Sequence, residues 1–202
     1  MTKIISIFAM LFALAIPAMA QTAPATDAAP VAAEEEEHAG LGFWVETRIA
    51  KGGSEAVVYF DKLLTDSVGF YAQVVKDSTG YASVYVGPKF KIAEGVEVGV
   101  GIGREVLERG APSTTVRNAW VFIDQESWSL YATLERGSAG KWHKVVGLYK
   151  LSDAVNVGVM NESFAGTGPR VEWNAAQGFQ VWGAVLRTNG VTTPMIGANV
   201  TF

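Results

Sequence analysis

The sequence predicts an all-β protein: a closed antiparallel up-and-down transmembrane β-barrel of about twelve strands, with ten or fourteen as the neighbouring even counts. Three observations carry that prediction. Beyond residue 40, apolar residues recur at every second position in runs of about ten, with no helical period. Aromatic residues gather at the run ends beside one set of tight turns. The final run, Thr193 to Phe202, keeps Pro194, Ile196, Ala198, Val200 and Phe202 on one face and mostly polar residues on the other. An apolar strand at a chain end suits a closed sheet in lipid better than a frayed terminus in water.

The N-terminal segment is of a different kind. Lys3 precedes an apolar run from Ile4 to Ile16, followed by Pro17, Ala18, Met19 and Ala20. A basic start, a short apolar centre and small residues at Ala18 and Ala20 describe a secretory signal peptide, residues 1–20, cleaved after Ala20. The run is shorter than the roughly 20 residues of a membrane-spanning helix. With no cysteine anywhere, there is neither a lipoprotein anchor nor a disulfide framework. Residues 21–40 are rich in Ala, Pro and Glu, and lack the apolar area to fold; they read as a disordered periplasmic leader. The barrel is then residues 41–202. Of 16 Lys+Arg and 20 Asp+Glu, Lys3 falls in the signal, while Asp27 and Glu34 to Glu37 precede residue 39. The remainder is balanced in charge, which excludes the basic surface of a nucleic-acid-binding protein.

Taken in order, the runs cover 41–50, 55–64, 68–76, 80–92, 96–106, 115–124, 128–136, 141–151, 154–162, 168–175, 179–187 and 193–202. Val96, Val98, Val100 and Ile102 oppose Glu97, Gly99, Gly101 and Gly103. Ala82, Val84, Val86, Pro88, Phe90 and Ile92 oppose Tyr81, Ser83, Tyr85, Gly87, Lys89 and Lys91. Trp128, Leu130, Ala132 and Leu134 oppose Ser129, Tyr131, Thr133 and Glu135. Runs 115–124 and 179–187 are apolar on both faces, so their orientation stays open. Alternate connections are tight and polar (65–67, 93–95, 125–127, 152–153, 176–178), and the longest of the others lies near Leu107 to Thr114.

The ending, Phe202 with Val200, Ala198 and Ile196 at alternate positions before it, resembles the C-terminal signal of bacterial outer-membrane β-barrel proteins. Residues 41–202 resemble that group by pattern, and more loosely its small twelve-stranded porin-like channels. The resemblance implies a bacterial outer-membrane location among lipid and lipopolysaccharide. It also implies recognition of Ile196, Ala198, Val200 and Phe202 by the barrel-assembly machinery. Twelve-stranded oligosaccharide channels carry tracks of Arg along the lumen; here only Arg48 and Arg170 are expected inside, so a sugar-acid substrate is not implied.

On this reading Phe43, Phe60, Phe70, Phe90, Phe122, Trp128, Tyr149, Trp173, Phe179 and Phe202 form one membrane-interface belt, with Tyr81 and Trp142 in a weaker second one. The opposite faces then line a lumen with Glu46, Arg48, Asp61, Tyr71, Tyr85, Lys89, Lys91, Glu97, Tyr131, Glu135, Lys144, Lys150, Arg170, Glu172 and Asn199. With Glu105 added, six acids meet six bases, predicting weak ion selectivity. Inward Gly87, Gly99, Gly101 and Gly103 are expected to leave open space. The function expected is passive diffusion of ions or small hydrophilic solutes through a narrow pore. A barrel plugged by its own salt bridges, with a structural or partner-binding role, stays open as the alternative, since twelve strands fall between filled and open barrels. A lipid-modifying enzyme is the third reading, for which only His38 and His143 are available, with Ser138 near His143 in sequence. No catalytic, metal or cofactor site is expected, and the sequence does not fix an oligomeric state.

Overall fold

Period-two runs of this length can satisfy their backbone only by pairing, and the structure, a computed structural model describing residues 41–202, pairs all of them. The expected signal peptide and acidic leader lie outside the described residues. The strands are β1 (Gly42–Ala50), β2 (Gly53–Leu63), β3 (Val68–Asp77), β4 (Ala82–Ala93), β5 (Val96–Val106), β6 (Thr114–Asp124), β7 (Trp128–Gly137), β8 (Gly140–Lys150), β9 (Val155–Glu162), β10 (Gly166–Ala176), β11 (Phe179–Thr188) and β12 (Val191–Thr201). Each bound lies within two residues of the sequence-derived run. Neighbours in sequence are neighbours in the sheet, and β12 closes on β1 from Trp44 opposite Thr201 to Ala50 opposite Met195. No strand is left with an unpaired edge.

Turn chemistry fixes the register. Asn189-Gly190 joins β11 to β12 with both residues at positive φ (49° and 80°), the backbone of a two-residue type I′ hairpin. At the end bearing Gly42 and Thr201, the connections are residues 64–67, 94–95, 125–127, 151–154 and 177–178. At the opposite end only 107–113, between β5 and β6, exceeds four residues. The difference between the two ends is thus a single loop.

The outer wall is apolar and exposed, with Val84, Val86, Val100, Ile102, Leu134, Val159, Val171, Val185 and Ile196 among its large side chains. A water-soluble domain does not present apolar area on this scale, whereas a barrel in hydrocarbon requires it. Phe43 packs at a tilt against Phe60 and Phe202 at centroid distances of 4.7 and 5.0 Å, across the seam where the barrel closes. Phe70, Phe90, Trp128, Tyr149, Trp173 and Phe179 share the outward parity of that cluster.

Three aromatic assignments need correction. Phe122 is not on the belt: it pairs with Glu97 and Tyr131 and lines the lumen. Asn118 and Asp124 share its parity and also turn inward, which places the comparably polar Arg117 outside. Tyr81 and Trp142 likewise border the interior rather than a second belt, and Tyr81 packs on a buried aromatic cluster. β11, the other strand of open orientation, points Trp182, Ala184 and Leu186 inward, all buried.

Candidate functional site: the lumen

Inward glycines and inward aromatics complement one another. The Trp120 indole lies across Gly99, so close that a Cβ there would sit 2.4 Å from the ring; Trp182 covers Gly197 at the same 2.4 Å. The Tyr71 hydroxyl and Asn118 fill the space over Gly101. At Gly99 and Gly101 the expected open space is therefore filled, by side chains from β6 and β3. Trp44 stacks on Tyr59 at 5.6 Å and Tyr59 on Tyr71 at 5.8 Å, while Trp120 meets Tyr71 edge-on at 5.5 Å. These rings form an aromatic wall on one side of the barrel. Tyr71 donates to Asn118 Oδ1 (2.6 Å) and Tyr85 to Glu135 (2.8 Å). Both tyrosines point inward but are wholly buried, so they belong to the packed wall and not to the wetted surface expected of them.

Ion pairs line the lumen above, below and across from these rings. Lys144 donates to both carboxylate oxygens of Glu46, at 3.1 and 3.3 Å. Arg170 pairs with Glu172 at 2.7 Å and lies 4.0 Å from the Trp182 ring centre. Arg48 holds Glu55 at 3.0 Å and Glu162 at 2.5 Å. Lys89 binds Asp61 and, at 2.9 Å, Glu97. Lys150 reaches Asp124 (2.8 Å) and the Gln125 carbonyl (2.7 Å) at the mouth, and Asn199 donates to Gln180 at 2.8 Å. Lys91 borders neither cavity; it is exposed beside a β-bulge between Lys91 and Ala93. Glu55, Asp124 and Glu162 were missed by sequence reasoning, although Glu55 shares the parity of Tyr59 and Asp61, the signal that places it inside.

The free interior divides in two. A cavity of about 740 Å³ reaches the end near the termini, past Gln177 and Gly178. A second, of about 510 Å³, reaches the opposite end past Gly52, Ala139 and Phe164. Both are lined by Trp44, Glu46, Tyr131 and Lys144, which therefore form the septum between them. Charge differs across it. The first cavity carries Glu46, Asp61, Glu97, Asp124 and Glu172 against Lys89, Lys144, Lys150 and Arg170. The second carries Glu46, Glu55, Asp77, Glu105, Glu135 and Glu162 against Arg48 and Lys144, with Lys141, of outward parity, only at its rim. The six-against-six balance expected from sequence gives way to an acidic lumen whose excess sits at the end away from the termini.

His143 lies on the outer wall, and Ser138 is not its partner: Ser138 bonds Glu105 through its N–H (2.5 Å) and its hydroxyl (2.7 Å). The hydroxyl of Ser163, the first residue of the turn after β9, lies 2.8 Å from His143 Nδ1, and Asn161 Oδ1 lies 2.6 Å from Nε2. Asn161 in turn donates to Thr167 Oγ1 at 2.6 Å, which fixes its oxygen toward the imidazole. Among the described residues no group of three His, Cys, Asp or Glu is arranged to hold a metal ion.

No protein-family model matches the chain, and no curated protein matches it. Solved structures share its fold at low identity. The KdgM porin in complex with disordered oligogalacturonate superimposes with a TM-score of 0.53 at 10% identity, over 80% of this chain and 99% of that one. An outer-membrane channel from Pseudomonas putida F1 gives 0.51 at 12% identity, over 90% of this chain and 100% of that one. Outer membrane phospholipase A from Escherichia coli gives 0.50 at 8% identity, over 80% and 89%. The shared feature is the closed antiparallel barrel, found in two porin-type channels and in one enzyme.

Proposed function

We propose that the protein is a bacterial outer-membrane channel that passes ions or small hydrophilic solutes passively, with the Glu46–Lys144 septum as its narrowest point. One observation carries the reading: charged cavities enter the barrel from opposite ends and are parted at a single level. Hydrated charge inside and an apolar wall outside are the division of labour of a membrane pore. The fold shared with two porin-type channels supports the same reading, as do a signal-like N-terminus and the terminal Phe202 motif, which suits recognition by the barrel-assembly machinery. Planar-bilayer recording of the refolded protein tests it. Discrete conductance steps are expected; their absence would leave a closed barrel with a structural role.

A second reading rests on the Ser163–His143–Asn161 contact. With Nε2–H donating to Asn161, Nδ1 is left to accept the Ser163 proton, an arrangement suited to attack on an ester. The phospholipase among the structural neighbours makes a lipid ester the substrate to try. Phospholipid hydrolysis by the purified protein, lost in Ser163→Ala and His143→Ala, would establish it; no hydrolysis by the unaltered protein removes it.

A further inference from the structure

Charge on the strands is segregated by face. All ten Asp and Glu residues in the strands line the two cavities. The strand charges of opposite parity are basic, and four of them lie on adjacent strands at the end away from the termini: Arg104 on β5, Arg117 on β6, Arg136 on β7 and Lys141 on β8. Arg117 is directly opposite Arg136, and Arg136 directly opposite Lys141. Arg104 sits on the diagonal from Arg117, beside Thr115. All four are exposed, and none has a carboxylate partner among the described residues.

Like charges directly opposite on neighbouring strands destabilise a sheet. Two such pairs in succession are a standing cost that an anion would remove. The surface beneath them is apolar: Val100, Ile102 and Leu134 are 52%, 54% and 54% exposed, and Ile102 is directly opposite Arg117. A ligand fitting both halves has phosphates at the level of the stripe and acyl chains below it. Three inter-strand steps span roughly 14 Å, room for more than one phosphate. Guanidinium groups are well suited to phosphate because their N–H forks match its oxygens.

We propose that Arg104, Arg117, Arg136 and Lys141 bind a multiply phosphorylated acyl lipid of the surrounding leaflet, phosphates on the stripe and chains along Val100, Ile102 and Leu134. The proposal rests on the membrane-channel reading for its setting, and refolding in detergent separates the two. If the full chain fails to fold in zwitterionic micelles, judged by heat-dependent gel migration, both readings fall together. If it folds, titration with diphosphoryl lipid A, monophosphoryl lipid A, phosphatidylglycerol and inorganic phosphate decides the proposal alone. Diphosphoryl lipid A should bind best, and Arg117→Gln/Arg136→Gln should weaken it roughly thirtyfold, from the loss of two cations near a charged lipid surface. Lys62→Gln, an outward base near the other end, should leave the affinity unchanged. Without lipid the double variant should melt no lower than the parent, since the opposed charges are gone; a purely structural role for the arginines would lower it. Equal affinity for phosphatidylglycerol or for the monophosphoryl lipid, competition by inorganic phosphate at comparable concentration, or unaltered lipid A binding by the double variant would each overturn the assignment.

Discussion

Breaking the septum is the sharpest probe of how the lumen works. Glu46 and Lys144 have side chains 8% and 10% exposed and lie 3.1 Å apart. At an effective dielectric constant of 20, that separation corresponds to an attraction of about 5 kcal/mol, most of it offset by the desolvation of both groups. Removing one partner strands the other in a largely dry site, whereas removing both leaves nothing uncompensated. Glu46→Gln and Lys144→Met should therefore each destabilise the barrel, and the double variant should cost much less than their sum. A coupling energy of about 3 kcal/mol is expected, the low end for a buried pair, because a cavity touches the septum from each side. Urea unfolding in lipid vesicles, followed by tryptophan fluorescence, measures it. A coupling below about 1 kcal/mol, the value for exposed pairs, would mean that water already fills the septum and would refute the reasoning. The truncating pair Glu46→Ala/Lys144→Ala supplies the functional half: unit conductance should rise as the two cavities join. Unchanged conductance would move the constriction elsewhere.

Gly197→Ala puts a methyl 2.4 Å from the Trp182 ring, and should destabilise by about 1–3 kcal/mol, as overpacking does; combining it with Trp182→Leu should recover part of the loss in the same urea titration. Because the chain has no cysteine, single cysteines report facing directly: Phe122→Cys should react with a charged, membrane-impermeant thiol reagent in vesicles, while Val121→Cys, on the lipid side, should not. The acidic cavity predicts a preference for cations, and Glu55→Gln/Glu135→Gln should shift the zero-current potential in a salt gradient toward the anion side; no shift would show that these carboxylates do not face the permeation path.

The barrel was legible in the sequence because its signal repeats: twelve alternating runs, each weak alone, constrain one another through an even count and a closing terminal strand. Facing was legible where one parity was apolar throughout, as in β4, or apolar except for a single arginine near the rim, as in β5 and β7. It stayed open on β6, which read as apolar on both faces, and Phe122 was put outside although Asn118 and Asp124 share its parity and Arg117 has the other. The structure shows the reason. Polar residues are tolerated on the outer wall near the rim, where the wall leaves hydrocarbon, so polarity alone does not mark the lumen there. The state of the lumen was less legible still. Gly99 and Gly101 read as missing side chains, yet their space belongs to Trp120 and Asn118 from the adjacent strand and to Tyr71 from two strands away. A pairing of that kind depends on register, which a single run does not reveal. The Ser163–His143 contact was hidden for the same reason: the nearer serine in sequence, Ser138, belongs to a different carboxylate.

The glycine–tryptophan pairs also bear on why a barrel of twelve strands carries so narrow a lumen. Twelve strands lie between the eight whose interior side chains fill and the sixteen or so that leave an open channel. Here the intermediate diameter is taken up from two sides. Trp44, Tyr59, Tyr71 and Trp120 advance from one wall, and Trp182 under Arg170, with Lys144 bonded to Glu46, advances from the other. Aromatic rings are rigid and hold their half of the gap at fixed cost, whereas a lysine on four methylenes can swing away if its carboxylate partner is lost. Of the four residues shared by the two cavities, Lys144 is thus the one whose displacement changes the aperture without unpacking the wall. A lumen narrowed by rings alone would be a plug. One narrowed by rings on one side and an ion pair on the other should widen when the pair is broken by substitution and respond little to added salt, which screens a largely buried pair only weakly.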